Sequence, residues 1–333
     1  MDYSSLPKVE LHLHLDCSLS YDVVTKIEPA ITPDEYRKKF IAPPKCANLA
    51  DYLTRAFNAV ELIQTEEQLR LVTLDLFDQL KADNVIYAEI RFGPILHTQK
   101  SLTPEQVVRA VVEATDEGVS RTGVQAGLIF STLRNYTEEQ SMQTVELVRQ
   151  FGGSGSRVFG FDIAADEAGF PIDNHIKAFQ YAKKHGISRT AHAGEARGAD
   201  SVWETLHHFE PTRIGHGVRC AEDPELLVHL RDHRIHLEVC PTSNVQTNVF
   251  DRIVNHSADL LYRSGISLGI NTDTRTISNV TLDDEYGVMV QNFGWGPDML
   301  LKCNLEAIEH AFCPPEWKRG FREKITGAWD GLA

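Results

Sequence analysis

The sequence is short of positive charge, of closely paired cysteines and of long apolar runs, and each shortage closes off a class of function. Its 33 Lys and Arg are outnumbered by 47 Asp and Glu, for a net charge of −14. That balance argues against a polyanion-binding surface, because nucleic-acid affinity rests on cations that neutralise phosphates. No run approaches the roughly 18 apolar residues of a membrane span. Residues 1–7 lack the basic and apolar regions of a secretory leader. The six cysteines (Cys17, Cys46, Cys220, Cys240, Cys303, Cys313) contain no C-x-x-C pair, so neither a zinc ribbon nor a thioredoxin motif is present. Reduced thiols in a cytoplasmic protein are the simplest expectation. The glycosylation-like triplets at Asn135, Asn255 and Asn279 are then chance matches. A Gly-rich dinucleotide turn after the first strand is also missing. The glycine-rich stretch 152–156 precedes a strand pattern, which suits a flexible turn and not a phosphate loop.

What is present is an ordinary globular composition, 42% apolar and 24% charged, and a length that suits one barrel domain over residues 1–333. The chain is organised around residues 10–16, Glu-Leu-His-Leu-His-Leu-Asp. On a strand, side chains alternate between faces, so Val9, Leu11, Leu13 and Leu15 share one side and His12, His14 and Asp16 the other. Further strand patterns occur at 86–92, 124–131, 158–164, 188–193, 213–217, 235–240 and 267–273. Helical patterns separate them, including 103–122 with Thr103 as N-cap ahead of Pro104, and 249–264. Extra helices fall at 32–40 and 48–80, after the first strand, and at 297–312 and 315–326. Eight strands separated by helices indicate parallel β/α units, and the count and length fit a (β/α)8 TIM-type barrel better than an open sheet.

In such barrels the active site lies at the C-terminal ends of the strands. There the sequence places His12, His14 and Asp16, then Asp162 with Ala165, Asp166 and Glu167 beyond it. His192-Ala193-Gly194-Glu195, Gly215-His216-Gly217, residues 240–244 and Asn271-Thr272-Asp273 follow. His207, His208, His229, His233, His236 and His256 are assigned to surface or packing, and Glu89 and Arg91 to a pair inside the barrel. Three imidazoles and a carboxylate (His12, His14, His192, Asp273) suit zinc or a similar divalent ion with one position open for water. Such an ion lowers the pKa of that water towards about 7. Glu195, three residues past His192, is placed to protonate the electrophile, and His216 to hold the attacking water or handle its proton. The residues themselves thus point to metal-assisted hydrolysis.

From residues 7–16 (Pro-Lys-Val-Glu-Leu-His-Leu-His-Leu-Asp) through His192–Glu195, Gly215–Gly217 and 240–244 to Asn271-Thr272-Asp273, the chain resembles the adenosine deaminases of the amidohydrolase superfamily. The resemblance implies one Zn2+ per chain on His12, His14, His192 and Asp273. Glu195 then donates a proton to the purine ring nitrogen. His216 positions the zinc hydroxide that attacks the amino-bearing carbon, Asp273 also contacts that water, and ammonia leaves. His14, Asp16, Ala165 and Thr274 would form the substrate-binding set, Asp16 holding a ribose hydroxyl and the loop at Ala165 giving a backbone N–H to the base. The partner expected is a small purine nucleoside, adenosine or deoxyadenosine, with no nucleic acid and no membrane. Three positions depart from the family pattern. Cys17 and Ala165 stand where Gly is usual, and Thr274 replaces the second Asp of an Asp-Asp pair. A Thr hydroxyl cannot supply a carboxylate, so the alternative is the same chemistry on another 6-aminopurine derivative. The cytidine-type zinc pattern is excluded, since His236-Leu237-Glu238 is followed by no P-C-x-x-C.

Overall fold

The computed structural model describes residues 3–329, and its centre is a ring of eight parallel strands. They are β1 (Lys8–His14), β2 (Val85–Phe92), β3 (Gln125–Leu133), β4 (Val158–Ala164), β5 (Ser188–Ala193), β6 (Arg213–His216), β7 (His236–Val239) and β8 (Leu268–Ile270). Each pairs with the next in sequence order. Past the end of β8, the His14 N–H donates to Asp273 O at 2.8 Å and the Asp273 N–H to His12 O at 3.0 Å, which closes the barrel. Leu11, Leu13, Ala88, Ile90, Phe92, Phe161 and Ile163 are fully buried in the main apolar core. With helices outside and side chains inside, parallel strands lose both faces to burial, and β2 is buried at all eight positions.

Helix starts follow local chemistry. Thr32, Thr103 and Thr137 each accept from the backbone three residues on, while Glu35, Gln106 and Gln140 reach back to close capping boxes. Four helices fill the long connection after β1: Tyr21–Ile27, Pro33–Phe40, Leu49–Leu62 and Glu66–Ala82. The single helix expected over 48–80 is therefore two. Thr65 caps the second by accepting from Gln68 N, and that new start interrupts the first. No helix among the described residues is long and apolar enough to cross a membrane.

Three other expectations change. The helix expected at 249–264 is replaced by a 3-10 turn Ile253–Asn255 and a short helix Ala258–Arg263, with a further short helix Pro241–Gln246 before it. Leu282–Phe293 is a helix that the strand-by-strand reading passed over. β1 stops at His14, so Leu15 and Asp16 lie on a 3-10 turn instead of continuing the alternation.

Inside the barrel, Glu89 and Arg91 are both buried but do not pair with each other. Arg91 binds Asp162 (3.3 Å) and Glu238 (2.7 Å), while Arg213 binds Glu238 (2.7 Å) and Glu89 (2.6 Å). Adjacent inward positions on one strand sit two residues apart along it, whereas facing strands bring opposite charges closer. Unpaired, each buried charge would cost several kcal/mol; here every one has a counter-charge.

Candidate active site

The first two metal-ligand candidates come from β1, the third from β5, and the fourth from just beyond β8. One donor atom from each of His12, His14, His192 and Asp273 lies within 4.8 Å of all the others. The interior ion network aims these imidazoles. His12 Nδ1 is 2.9 Å from Glu238 Oε2 and His192 Nδ1 is 3.2 Å from Asp162 Oδ1. A carboxylate only accepts, so both Nδ1 atoms carry the proton and both Nε2 atoms turn lone pairs inward. Burial would raise Asp162 and Glu238, but Arg91 and the imidazoles hold both carboxyls below their ordinary values, so they remain acceptors.

The inward side of the cluster is short of partners. His12 Nε2 is buried with no hydrogen-bond partner, 3.3 Å from Asp273 Oδ1, and the Nε2 atoms of His14 and His192 approach to 3.2 Å. Burial pushes His14 down to about 3 and also lowers His192, which leaves neutral imidazoles. His12 moves the other way: burial and Arg91 lower it, but Asp273, whose Oδ1 is 3.3 Å from its Nε2, and Glu238 pull it up. Neutral nitrogen donors, an aspartate and an orphaned lone pair are the environment a divalent cation fits.

Two of the site's side chains are held on strained backbone. His216 (φ 60°) and Asp273 (φ 64°) occupy the left-handed region, as does Ala165 (φ 81°), a conformation that costs roughly 1–3 kcal/mol per non-glycine residue. The glycines around His216 have steric reasons. A Cβ on Gly215 would come within 2.9 Å of His12 Cε1, and Gly217 has φ 69° with Leu237 2.7 Å from where its Cβ would be.

Across from the ligands, Glu195 Oε2 is 3.6 Å from His216 Nε2. Its carboxyl is buried, and burial together with the charges of Asp273 and Glu167 raises it well above the usual range. A carboxyl of that kind keeps its proton near neutral pH and can donate it. Glu167 also shapes the loop: it accepts from the backbone N–H of Gly194 (2.7 Å), Glu195 (3.0 Å) and Arg197 (2.9 Å), and from Ser201 Oγ (2.5 Å). The sequence placed Glu167 at the end of a strand but gave no sign of this role, because its donors lie 27 or more positions ahead.

The substrate-binding candidates divide. His14, Asp16 and Ala165 line one cavity of about 90 Å³, with Leu53, Ala56, Phe57 and Val60 of the Leu49–Leu62 helix as part of its wall. Among the described residues that line it, Asp16 is the only carboxylate and there is neither Lys nor Arg. Burial raises Asp16, yet His97, His14 and the Gly93 N–H bring it below its ordinary value. His97, which the sequence reading passed over, donates from Nδ1 to Ile63 O at 2.8 Å and turns Nε2 towards Asp16 Oδ2 at 3.7 Å. Thr274 does not line this cavity. It is buried in a hydroxyl cluster with Tyr52 and Ser278, whose oxygens are 2.7 Å apart. Glu195 lines a second, more open cleft of about 570 Å³, where Arg219 is held by Glu222 at 2.7 Å.

The family model described as adenosine deaminase matches residues 7–328. The adenosine deaminase of Clostridium acetobutylicum is 32% identical over 328 residues, covering 96% of this chain and 97% of that protein. Among solved structures, adenine deaminase from Arthrobacter aurescens superposes with a TM-score of 0.88 at 24% identity, covering 97% of this chain and 99% of the other. The N6-methyl-AMP deaminase of Arabidopsis thaliana gives 0.84 at 24% identity, with 98% and 97% covered. These two likenesses speak for the fold. The family match and the full-length identity go further: the chain belongs to the adenosine deaminase family and is a hydrolase acting on C–N bonds.

Proposed function

We propose that this protein is a single-domain, cytoplasmic enzyme over residues 1–333 that deaminates adenosine and deoxyadenosine hydrolytically, with one zinc ion per chain on His12, His14, His192 and Asp273. The observation that carries the reading is the convergence of four ligand donors in one buried site with His216, whose Nε2 lies 3.6 Å from the buried Glu195 carboxyl. The ion's contribution is Lewis-acid activation of water near neutral pH. The chain's own groups do the rest. Glu195 delivers its proton to the ring nitrogen next to the amino-bearing carbon, which makes that carbon electrophilic. His216 faces the attacking oxygen, and Asp273, fixed by a 2.7 Å bond from Ser243 Oγ, accepts from it. One proton of the attacking water passes by way of Asp273 to the amino group, which leaves as ammonia when the carbon–nitrogen bond breaks; the other returns to Glu195, and a 6-oxo purine protonated on that ring nitrogen remains.

A nucleoside fits better than a nucleotide or a free base. The cavity beside His14 offers Asp16 to a sugar hydroxyl, and its lining has no cation for a phosphate. Asp16 would repel a phosphate and would stand unused against a bare base. The second reading, another 6-aminopurine derivative, is favoured by Thr274: the Tyr52–Thr274–Ser278 hydroxyls donate or accept equally well but carry no charge. Six buried, unpaired thiols support the cytoplasmic location. The test is the ultraviolet change on deamination with adenosine, deoxyadenosine, adenine, AMP and N6-methyl-AMP. Turnover of the two nucleosides well above the rest is expected. A preference for adenine or for either nucleotide contradicts the nucleoside assignment.

A further inference from the structure

His256 lies in the stretch where the sequence suggested an unbroken helix. Instead it ends a hydrogen-bonded chain, buried throughout, that runs through Asn244 to His216. Every polarity in the chain is set from one end. The backbone N–H of Ala258 can only donate, and it donates to His256 Nδ1 at 3.0 Å. An imidazole nitrogen that accepts carries no proton, so neutral His256 has its proton on Nε2. That N–H donates to Asn244 Oδ1 at 3.2 Å, which decides which end of the amide is oxygen. The other end, Nδ2, donates to His216 Nδ1 at 3.1 Å. His216 must then hold its own proton on Nε2, the nitrogen that faces Glu195 and the reacting centre.

We infer that His256 and Asn244 are positioning residues which, anchored on the Ala258 N–H, lock His216 as the Nε2–H tautomer, so that it offers the site a hydrogen-bond donor and not a base. The inference rests on the proposed role of His216 in the hydrolysis. It also decides between the two tasks open to that residue. A neutral imidazole with Nε2 protonated orients the attacking oxygen but has no lone pair there to take its proton. The surroundings keep the relay in place. The Phe250 ring lies 4.5 Å from that of His256, and Ser257 Oγ donates to Val218 O at 2.7 Å, two residues past His216.

The test is Asn244→Asp in the zinc-loaded enzyme. A carboxylate at 244 accepts at both ends, which forces the His216 proton onto Nδ1. With adenosine as substrate, kcat should fall on the order of a hundredfold or more, as a wrong tautomer does at other catalytic histidines, while KM moves little. His256→Gln keeps an amide N–H able to reach Asn244 Oδ1 and should retain most of kcat, whereas His256→Leu should not. Independently of any variant, the ¹⁵N spectrum of histidine-labelled wild-type protein should show His216 with Nδ1 unprotonated and Nε2 protonated. A proton on His216 Nδ1 in that spectrum overturns the inference, as does unchanged kcat in folded Asn244→Asp protein. If wild-type protein fails to deaminate adenosine, the proposed function falls, and the spectrum still decides the tautomer by itself.

Discussion

Glu195 carries the sharpest demand on any single residue, since a carboxyl must keep a proton that water would remove. Burial and two neighbouring carboxylates do this, and Glu195→Gln preserves shape while abolishing the transferable proton. The expected outcome is a kcat loss of roughly 10²–10⁴-fold, the range for a lost general acid, with KM little changed, checked by steady-state kinetics on adenosine. Ala165 poses a different question at the same scale. Its φ of 81° suits glycine, and left-handed backbone costs an alanine roughly 1–2 kcal/mol. Part of that gain returns as glycine's greater freedom in the unfolded chain. Ala165→Gly should therefore raise stability by up to about 1 kcal/mol in denaturant melts, and unchanged or lower stability would mean that the strain is relieved elsewhere.

At the scale of elements, the helix Leu282–Phe293 buries Glu285, which accepts from the Thr242 N–H next to the site's β7 loop. Burial pushes this carboxyl up to about 8, from the 4.5 of an unperturbed glutamate. Between those values the folded state holds a proton that the unfolded state has lost. Stability must then fall as pH rises through that window, by up to about 1.4 kcal/mol per pH unit. Glu285→Gln should flatten the melting profile between pH 5 and 8, whereas an unchanged profile would refute the assignment. The sequence hid this helix because its three leading acids give it no clear apolar stripe. Strands β4 and β5 were legible to the residue, since punctuation by small and polar residues bounded each apolar run. The 249–264 stretch misled because the 3-10 turn Ile253–Asn255 and the His256 relay interrupt it, and neither is visible in hydrophobic spacing.

Across the whole molecule, the ligand atoms are one end of a charge network that runs through the barrel. Arg213 and Arg91 hold Glu238, and Glu238 holds His12; Arg91 also holds Asp162, which holds His192. The convergence of His12, His14, His192 and Asp273 was readable as recurring ionisable residues at one end of successive strands. The supports were not, because Glu238, Asp162, Glu167 and His256 meet their partners on other strands and loops, at separations that no local spacing reveals. The same network holds two of the imidazoles ready for a cation before one arrives. Adenosine turnover should therefore be followed in protein stripped by a chelator and then given zinc. The account predicts that the ultraviolet signal of deamination disappears in the stripped protein and returns with zinc. Undiminished turnover in metal-free protein, or none after zinc is restored to folded protein, would contradict it.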